Sequence, residues 1–301
     1  MSLSSLIDIP APAKLNLFLH VVGRRADGYH LLESVFVLID WQDTLHVERR
    51  SDGQLARHDL GDPLPPDDLC LRAARALQGA SGTSFGADIS ILKRLPAGAG
   101  MGGGSSDAAS VLLALNRLWG LNWPRSRLLP LAQTLGADVP FFVFGRNALV
   151  QGIGEQLSPL ELPVQTYAVV KPMASIATAS IFGSPLLRRD TPSVILMGSL
   201  DSTALAGVGG SGGPHAGFGH NDLQPPAEAA CAEVAQAARW LEQQFGNSRM
   251  TGSGSAVFAR VGADVCIPAT WPSGGAQALP EGWVGRLCRS LPQHPLLGWA
   301  D

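Results

Sequence analysis

The stretch Pro96-Ala97-Gly98-Ala99-Gly100-Met101-Gly102-Gly103-Gly104-Ser105-Ser106-Asp107 is the most informative part of the chain. A short apolar run before it predicts a β-strand, and apolar residues at helical spacing after it predict a helix. Glycine lets the backbone approach a ligand closely and adopt positive φ. A helix N-terminus presents unpaired N–H groups and the positive end of the helix dipole. The order strand, glycine-rich loop, helix therefore predicts an anion site, where the seryl hydroxyls could add hydrogen bonds or reach Mg²⁺.

Three interpretations of this run compete on sequence grounds. A purely structural loop is one of them. The second is a dinucleotide-binding fingerprint, because Gly98, Gly100 and Gly103 match its glycine spacing, but no acidic residue lies between Asp107 and Asp138 to bind a ribose. The third is a Walker loop, which requires a lysine that this run lacks. The two standard nucleotide-binding motifs are therefore disfavoured.

Length and composition narrow the class of protein. The chain has 301 residues, of which 46% are hydrophobic and 16% charged, so one large or two smaller domains with a substantial core are expected. A net charge of -3 disfavours a nucleic-acid partner. The four cysteines are widely separated, which disfavours a disulfide framework or a zinc site. Because no signal peptide or membrane-spanning stretch is recognisable, we expect a cytoplasmic protein without a membrane partner.

Periodicity outlines the remaining elements. Alternation from Leu15 to Val21 predicts a strand that places Lys14 and Asn16 on one face. A domain boundary is expected near residue 160, and the glycine-rich stretch from Gly207 to Gly219 is typical of a flexible loop. Further strands are predicted over residues 29–39, 44–48, 89–92, 148–151, 167–171 and 256–260, and helices over residues 69–77, 124–135 and 227–245.

The glycine run resembles the phosphate loop of the kinase superfamily named for galactokinase, homoserine kinase, mevalonate kinase and phosphomevalonate kinase. Four further segments resemble motifs of that superfamily in the same order. They are residues 10–17 (PAPAKLNL), 25–30 (RADGYH), 135–142 (LGADVPFF) and 250–255 (MTGSGS), with Asn221-Asp222-Leu223 preceding the last. The segments are most similar to a branch whose substrate is a small alcohol carrying a cytidine diphosphate group.

The resemblance implies an α+β fold of two domains. Residues 1–160 would form an N-terminal, ribosomal-S5-like, ATP-binding domain, and residues 161–301 a C-terminal, ferredoxin-like domain. The implied reaction is ATP-dependent phosphorylation of the 2-hydroxyl of cytidine-diphosphate-linked methylerythritol, in the non-mevalonate isoprenoid route. Mg²⁺ would accompany ATP, and neither its protein ligands nor the oligomeric state is predicted.

Three alternatives remain beside this function. A superfamily kinase acting on homoserine or mevalonate is disfavoured by Gly28-Tyr29-His30. A nucleotide-binding protein without catalysis is disfavoured because Lys14 and Asp138 are both present. A nicotinamide-dependent oxidoreductase, from a different class, is disfavoured by the missing ribose acid.

The resemblance also assigns two catalytic residues. Asp138 would be the base that takes the proton from the substrate hydroxyl, although from the residues alone it could equally cap a turn. Lys14 would keep Asp138 ionised and stabilise charge on the transferring phosphoryl group, although an edge-strand or snorkelling lysine is the alternative.

Binding residues follow from the same motifs. Tyr29 and His30 would hold the cytosine by stacking and hydrogen bonds, and Asn16, Thr178 and Phe182 would complete the substrate pocket, although Thr178 could also be a helix N-cap. ATP would be bound by Lys93, Pro96, Ala97, Gly98, Ala99, Gly100, Met101, Gly102, Gly103, Gly104, Ser105 and Ser106. Asp68 stands where the superfamily pattern has an asparagine near adenine, and a carboxylate can accept but not donate hydrogen bonds.

Overall fold

A computed structural model describes residues 3–193, 219–261, 271 and 278–301. The strands are β1 Ser5–Arg24, β2 His30–Arg50, β3 Leu55–Asp59, β4 Gly86–Leu92, β5 Ala148–Gln151, β6 Gln156–Pro159, β7 Thr166–Lys171, β8 Arg249–Met250, β9 Val257–Val261 and β10 Val284–Leu291. The helices are α1 Leu69–Ser81, α2 Gly103–Leu118, α3 Arg125–Gln133, α4 Val139–Phe144, α5 Thr178–Gly183, α6 Gln224–Ala230 and α7 Ala232–Phe245, with a 3₁₀ turn over Leu297–Trp299. The predicted α+β class is confirmed.

A long antiparallel hairpin of β1 and β2 forms the centre of the molecule. Lys14 lies opposite Leu38 and Asn16 opposite Phe36 in its register. The sequence suggested two strands over residues 29–48, but the structure has a single one, β2. The register shifts between Pro12 and Ala13, where a bulge lets the strand continue through the predicted break.

The strands of the described residues join in one sheet with the path β3-β4-β2-β10-β7-β9-β8. Strands β1 and β5 are added beside β2, and β6 pairs with β5. Helices α1, α2, α3 and α4 contribute buried residues to one core with β2 and β4, and α6 and α7 to another with β7 and β9. Strand β10 pairs with both β2 and β7 and so connects the two halves. The division near residue 160 stays a prediction.

Helix α2 is fixed against β1 by hydrogen bonds from its own side chains. Ser106 Oγ donates to the Pro12 carbonyl over 2.7 Å, and Ser110 Oγ donates to the Pro10 carbonyl over 2.9 Å. The two proline carbonyls thus accept hydrogen bonds from the helix, as buried backbone carbonyls need a donor. The start of α2, and the glycine loop before it, is thereby held beside Lys14.

The single helix predicted over residues 227–245 is wrong, because the structure has two shorter helices there. Helix α6 ends at Ala230, Cys231 adopts an extended conformation with φ −147°, and α7 begins at Ala232.

Cys70, Cys231 and Cys288 are free thiols. Cys266 and residues 207–218 of the predicted loop lie outside the described residues. None of the helices that the structure describes is both long and apolar enough to cross a bilayer.

Candidate active site

The glycine loop has backbone conformations that only glycine adopts readily. Gly98, Gly100 and Gly102 have φ values of 61°, 72° and 73°. Gly102 precedes α2, and no side chain caps the helix there. The first N–H groups of α2 thus receive no hydrogen bond from a capping side chain, and the predicted anion site at this helix start stays a prediction.

A second glycine turn, residues 251–255, crosses the first. Ser255 N–H donates to the Gly98 carbonyl over 3.1 Å, and Ala256 N–H donates to the Ala99 carbonyl over 3.2 Å. A Cβ on Gly100 would lie 2.3 Å from the Thr251 carbonyl oxygen, closer than any side chain tolerates. The two turns can meet only because this position is glycine.

Lys14 and Asp138 form an ion pair beside the loop. Lys14 Nζ lies 3.7 Å from Asp138 Oδ2, which is longer than a direct hydrogen bond, and donates to Asn16 Oδ1 over 2.5 Å. The ammonium also lies 4.5 Å from the centre of the Phe36 ring. Burial lowers the pKa of Lys14, and the charge of Asp138 opposes this effect. Lys14 and Asn16 share one face of β1, as predicted.

Asp138 occupies the N-cap position of α4, but its carboxylate caps no N–H group there. Its side chain is 34% exposed, whereas that of Lys14 is 3% exposed. The alternative interpretation as a capping aspartate is therefore not supported by its hydrogen bonds. The carboxylate is instead available to a ligand next to a buried ammonium.

An aromatic cluster lines the same cavity as this pair. The rings of His30 and Phe182 have centroids 5.0 Å apart, and Tyr29 is 61% exposed. Thr178 Oγ1 is hydrogen-bonded to Ser253 Oγ over 2.7 Å. Thr178 is the first residue of α5, whereas the N-cap is Ala177, so the structure does not support a capping role for Thr178.

One cavity of about 900 Å³ connects these groups. Of the predicted site residues, those lining it are Lys14, Asn16, Tyr29, His30, Gly98, Gly100, Gly102, Ser105, Asp138, Thr178 and Phe182. The other predicted site residues do not line the cavity; they are Lys93, Pro96, Ala97, Ala99, Met101, Gly103, Gly104 and Ser106. The loop thus presents alternate residues to the cavity and uses others to hold its shape.

Lys93 is engaged behind the loop. Its Nζ donates to Asp107 Oδ2 over 2.6 Å and to Asp43 Oδ2. Burial raises the pKa of Asp107 to about 7, an effect that Asp43 strengthens and Lys93 opposes. The predicted contact of Lys93 with ATP stays a prediction, and the ion pairs give the residue a structural task.

Asp68 also has a structural role. Its carboxylate accepts a hydrogen bond from Leu71 N–H over 3.1 Å as the N-cap of α1, and lies 2.8 Å from Arg57 Nη1. Arg57 also binds Asp59. The aspartate in place of asparagine is thus accounted for by a nearby arginine, whose side chain is only 7% exposed.

Comparisons with known proteins agree with this geometry. Residues 68–146 match the family model described as the GHMP kinases N terminal domain, and residues 213–265 match the GHMP kinases C terminal model. The 4-diphosphocytidyl-2-C-methyl-D-erythritol kinase of Methylibium petroleiphilum is 59% identical over 300 residues, covering 100% of both chains. The chain belongs to this kinase family. The enzyme of the same name from Verminephrobacter eiseniae is 56% identical over 301 residues, covering 99% of each chain.

Solved structures support the same family. A crystal structure of 4-(cytidine 5'-diphospho)-2C-methyl-D-erythritol kinase, 37% identical, has a TM-score of 0.71 and covers 84% of this chain and 89% of that one. Homoserine kinase from Cytophaga hutchinsonii, at 17% identity, has a TM-score of 0.66 and covers 97% of this chain and 96% of that one, which shows a shared fold alone. The predicted two-domain fold of the superfamily and the predicted class, an ATP-dependent small-molecule kinase, are confirmed.

Several residues of this kinase's cavity did not stand out in the sequence. Arg24 and Ser34 line it, and Ser34 Oγ accepts a hydrogen bond from Asn16 Nδ2 over 2.9 Å. Ser253, in the second glycine turn, also lines the cavity. The sequence indicated the motif of this turn but no role for the Ser253 side chain. Arg189 Nε donates to His30 Nε2 over 3.1 Å, and no local signal in the sequence indicated this pair.

Proposed function

We propose that the chain transfers the γ-phosphoryl group of ATP to the 2-hydroxyl of 4-diphosphocytidyl-2-C-methyl-D-erythritol. The observation that carries the proposal is the single cavity that joins the glycine loop, the Lys14–Asp138 pair and the aromatic cluster around His30. The 59% identity to a kinase named for this substrate supports it. The protein's location, expected to be cytoplasmic, stays a prediction.

The loop has the properties of a phosphate cradle. Gly98, Gly100 and Gly102 line the cavity without side chains, and Ser105 adds a hydroxyl in the first turn of α2. Backbone N–H groups and the helix dipole would stabilise the phosphates of ATP and orient its γ-phosphate. Phosphoryl transfer depends mainly on such positioning and on charge stabilisation.

Asp138 is proposed to accept the proton of the substrate hydroxyl. The substrate oxygen then forms a bond to the γ-phosphorus as the bond to the bridging β–γ oxygen breaks, and ADP leaves. Lys14, held by Asn16, would keep Asp138 ionised and stabilise the negative charge of the transferring group. Because Lys14 is buried, its charge acts with little screening by solvent.

Mg²⁺ is proposed to enter with the nucleotide. No group of three His, Cys, Asp or Glu residues suited to a metal ion occurs in the part of the chain that the structure describes. This fits Mg²⁺ carried mainly by phosphate and water oxygens, with Ser105 and Asp138 among the protein oxygens that line the cavity. When bound, the ion would neutralise charge on the phosphates.

The cytidine part of the substrate is proposed to bind at Tyr29, His30 and Phe182. Two aromatic rings and an imidazole offer stacking surfaces and a hydrogen-bonding group for a nucleobase. Asn16 and Thr178 would lie along the polar chain of the substrate.

The test supplies the purified chain with ATP, Mg²⁺ and one of three acceptors, and follows ADP release. We expect turnover with the cytidine substrate and not with homoserine or mevalonate. Turnover with one of the other alcohols instead would favour a different kinase of the superfamily. Omitting Mg²⁺ in the presence of a chelator should abolish turnover, and undiminished activity would contradict the role of the metal.

A further inference from the structure

Arg189 is hydrogen-bonded to both residues of the His30–Phe182 cluster, to the ring of His30 and to the backbone carbonyl of Phe182. Its Nε donates to His30 Nε2 over 3.1 Å, and its Nη2 donates to the carbonyls of Phe182 and Ser184 over 3.0 Å each. Its Nη1 donates to the Leu187 carbonyl, also over 3.0 Å. The guanidinium is therefore fixed by the carbonyls at the end of α5, a position that favours a cation.

This contact determines where the His30 proton lies. An arginine only donates hydrogen bonds and is always protonated, so Nε2 of His30 must accept. The proton of the neutral imidazole is then on Nδ1. The ring lines the cavity, and Nδ1 has no hydrogen-bond partner within the described ranges of the chain. Burial, together with the charges of Arg189 and Arg24, lowers the pKa of His30 and so favours the neutral ring.

We propose that Arg189 is a positioning residue that presents His30 Nδ1–H as a donor and thereby selects cytosine over uracil. Ring nitrogen N3 of cytosine accepts a hydrogen bond, whereas N3 of uracil carries a proton and donates. An Nδ1–H donor can therefore hydrogen-bond to N3 of cytosine but is repelled by the N3–H of uracil. The assignment of the base to this end of the cavity rests on the proposed function.

The first test measures the tautomer directly in the ligand-free chain. Nitrogen-15 NMR of labelled histidines should show that Nδ1 of His30 is protonated and Nε2 is not. The His30 signals are assigned by their absence from the spectrum of His30→Gln. In Arg189→Met the Nε2–H tautomer should become populated. Arg188→Met is the matched control, because Arg188 is adjacent, 57% exposed and paired only with Asp190 among the described carboxylates. A wild-type His30 protonated on Nε2 overturns the inference, whether or not the variants fold.

The second test measures selectivity with CDP and UDP as probes, by titration calorimetry. The wild-type chain and Arg188→Met should bind CDP more tightly than UDP. In Arg189→Met the ratio of the two affinities should fall about tenfold, as for one lost hydrogen bond. The KM for the cytidine substrate should rise by a similar factor while kcat and the KM for ATP stay within about twofold.

The outcomes separate this inference from the proposed function. An unchanged affinity ratio in folded Arg189→Met, or a wild-type chain that converts the cytidine substrate without preferring CDP, overturns the role of Arg189 alone. A wild-type chain that neither converts the substrate nor binds CDP overturns the proposed function and, with it, the selectivity.

Discussion

The carboxylate of Asp138 makes no capping hydrogen bond although the residue occupies the N-cap position of α4. Replacing it with asparagine therefore removes a base without removing a helix cap, and it exchanges the carboxylate that faces Lys14 for a neutral amide. We predict that Asp138→Asn lowers kcat by about 10²–10⁴-fold, the range expected for loss of a general base. The affinity for ATP and the melting temperature should change little. Steady-state kinetics, ATP titration and a thermal melt check the three parts, and near-normal turnover would contradict the assignment of the base.

Among the elements, the glycine loop is sensitive to a single methyl group. Gly100→Ala places a Cβ 2.3 Å from the Thr251 carbonyl and should force the two glycine turns apart. We predict an affinity for ATP at least about tenfold weaker, for a cost on the order of 1–3 kcal/mol. ATP titration measures this change.

The control for that variant is Gly120→Ala. Gly120 also has positive φ, at 69°, but a Cβ there meets nothing within 4 Å. This variant should lose only about 1 kcal/mol of stability to backbone strain and keep its affinity for ATP. Equal weakening of ATP binding in both variants would show that strain, rather than contact between the turns, determines the result.

The N-terminus of α1 yields a second prediction for an element. Asp68→Ala removes the cap and one partner of the buried Arg57, so the free energy of unfolding should fall by about 1–2 kcal/mol. Asp67→Ala is the matched control, since Asp67 is 69% exposed and pairs with the exposed Arg75; its effect should stay within about 0.5 kcal/mol. Urea denaturation compares the two, and equal effects would contradict the capping role.

For the whole molecule, the C-terminal segment couples stability to pH through His294. This residue donates its backbone N–H to Gly145, and burial lowers its pKa to about 3. Nε2 has no partner among the described residues. Between pH 6.5 and 3 the unfolded chain binds more protons at this group than the folded chain does, so the stability it contributes is lost as pH falls.

His294→Gln should flatten this dependence. The free energy of unfolding of the wild-type chain should fall more steeply between pH 6.5 and 4 than that of the variant, by on the order of 3 kcal/mol at most. Gln293→His is the control: it adds an exposed imidazole to the same segment and should leave the slope unchanged. Urea denaturation at several pH values measures the slopes, and parallel curves for wild type and His294→Gln would refute the coupling.

The sequence by itself determined the glycine loop, the helix that follows it and the kinase family. These depend on local chemistry, because positive φ needs glycine and an amphipathic helix needs apolar residues at a fixed spacing. It also named Lys14, Asp138 and the His30–Phe182 pair as members of one site, through a resemblance carried by motifs in order.

Tertiary structure alone decided which polar groups line the ligand cavity. The residues around Lys93 and Lys14 in the sequence did not distinguish the surroundings of the two lysines. In the structure Lys93 is paired with Asp43 and Asp107, whereas Lys14 lines the cavity. Arg189 reaches His30 across 159 positions of the chain. Desolvation and partner choice depend on what packing brings together, and no local pattern encodes them.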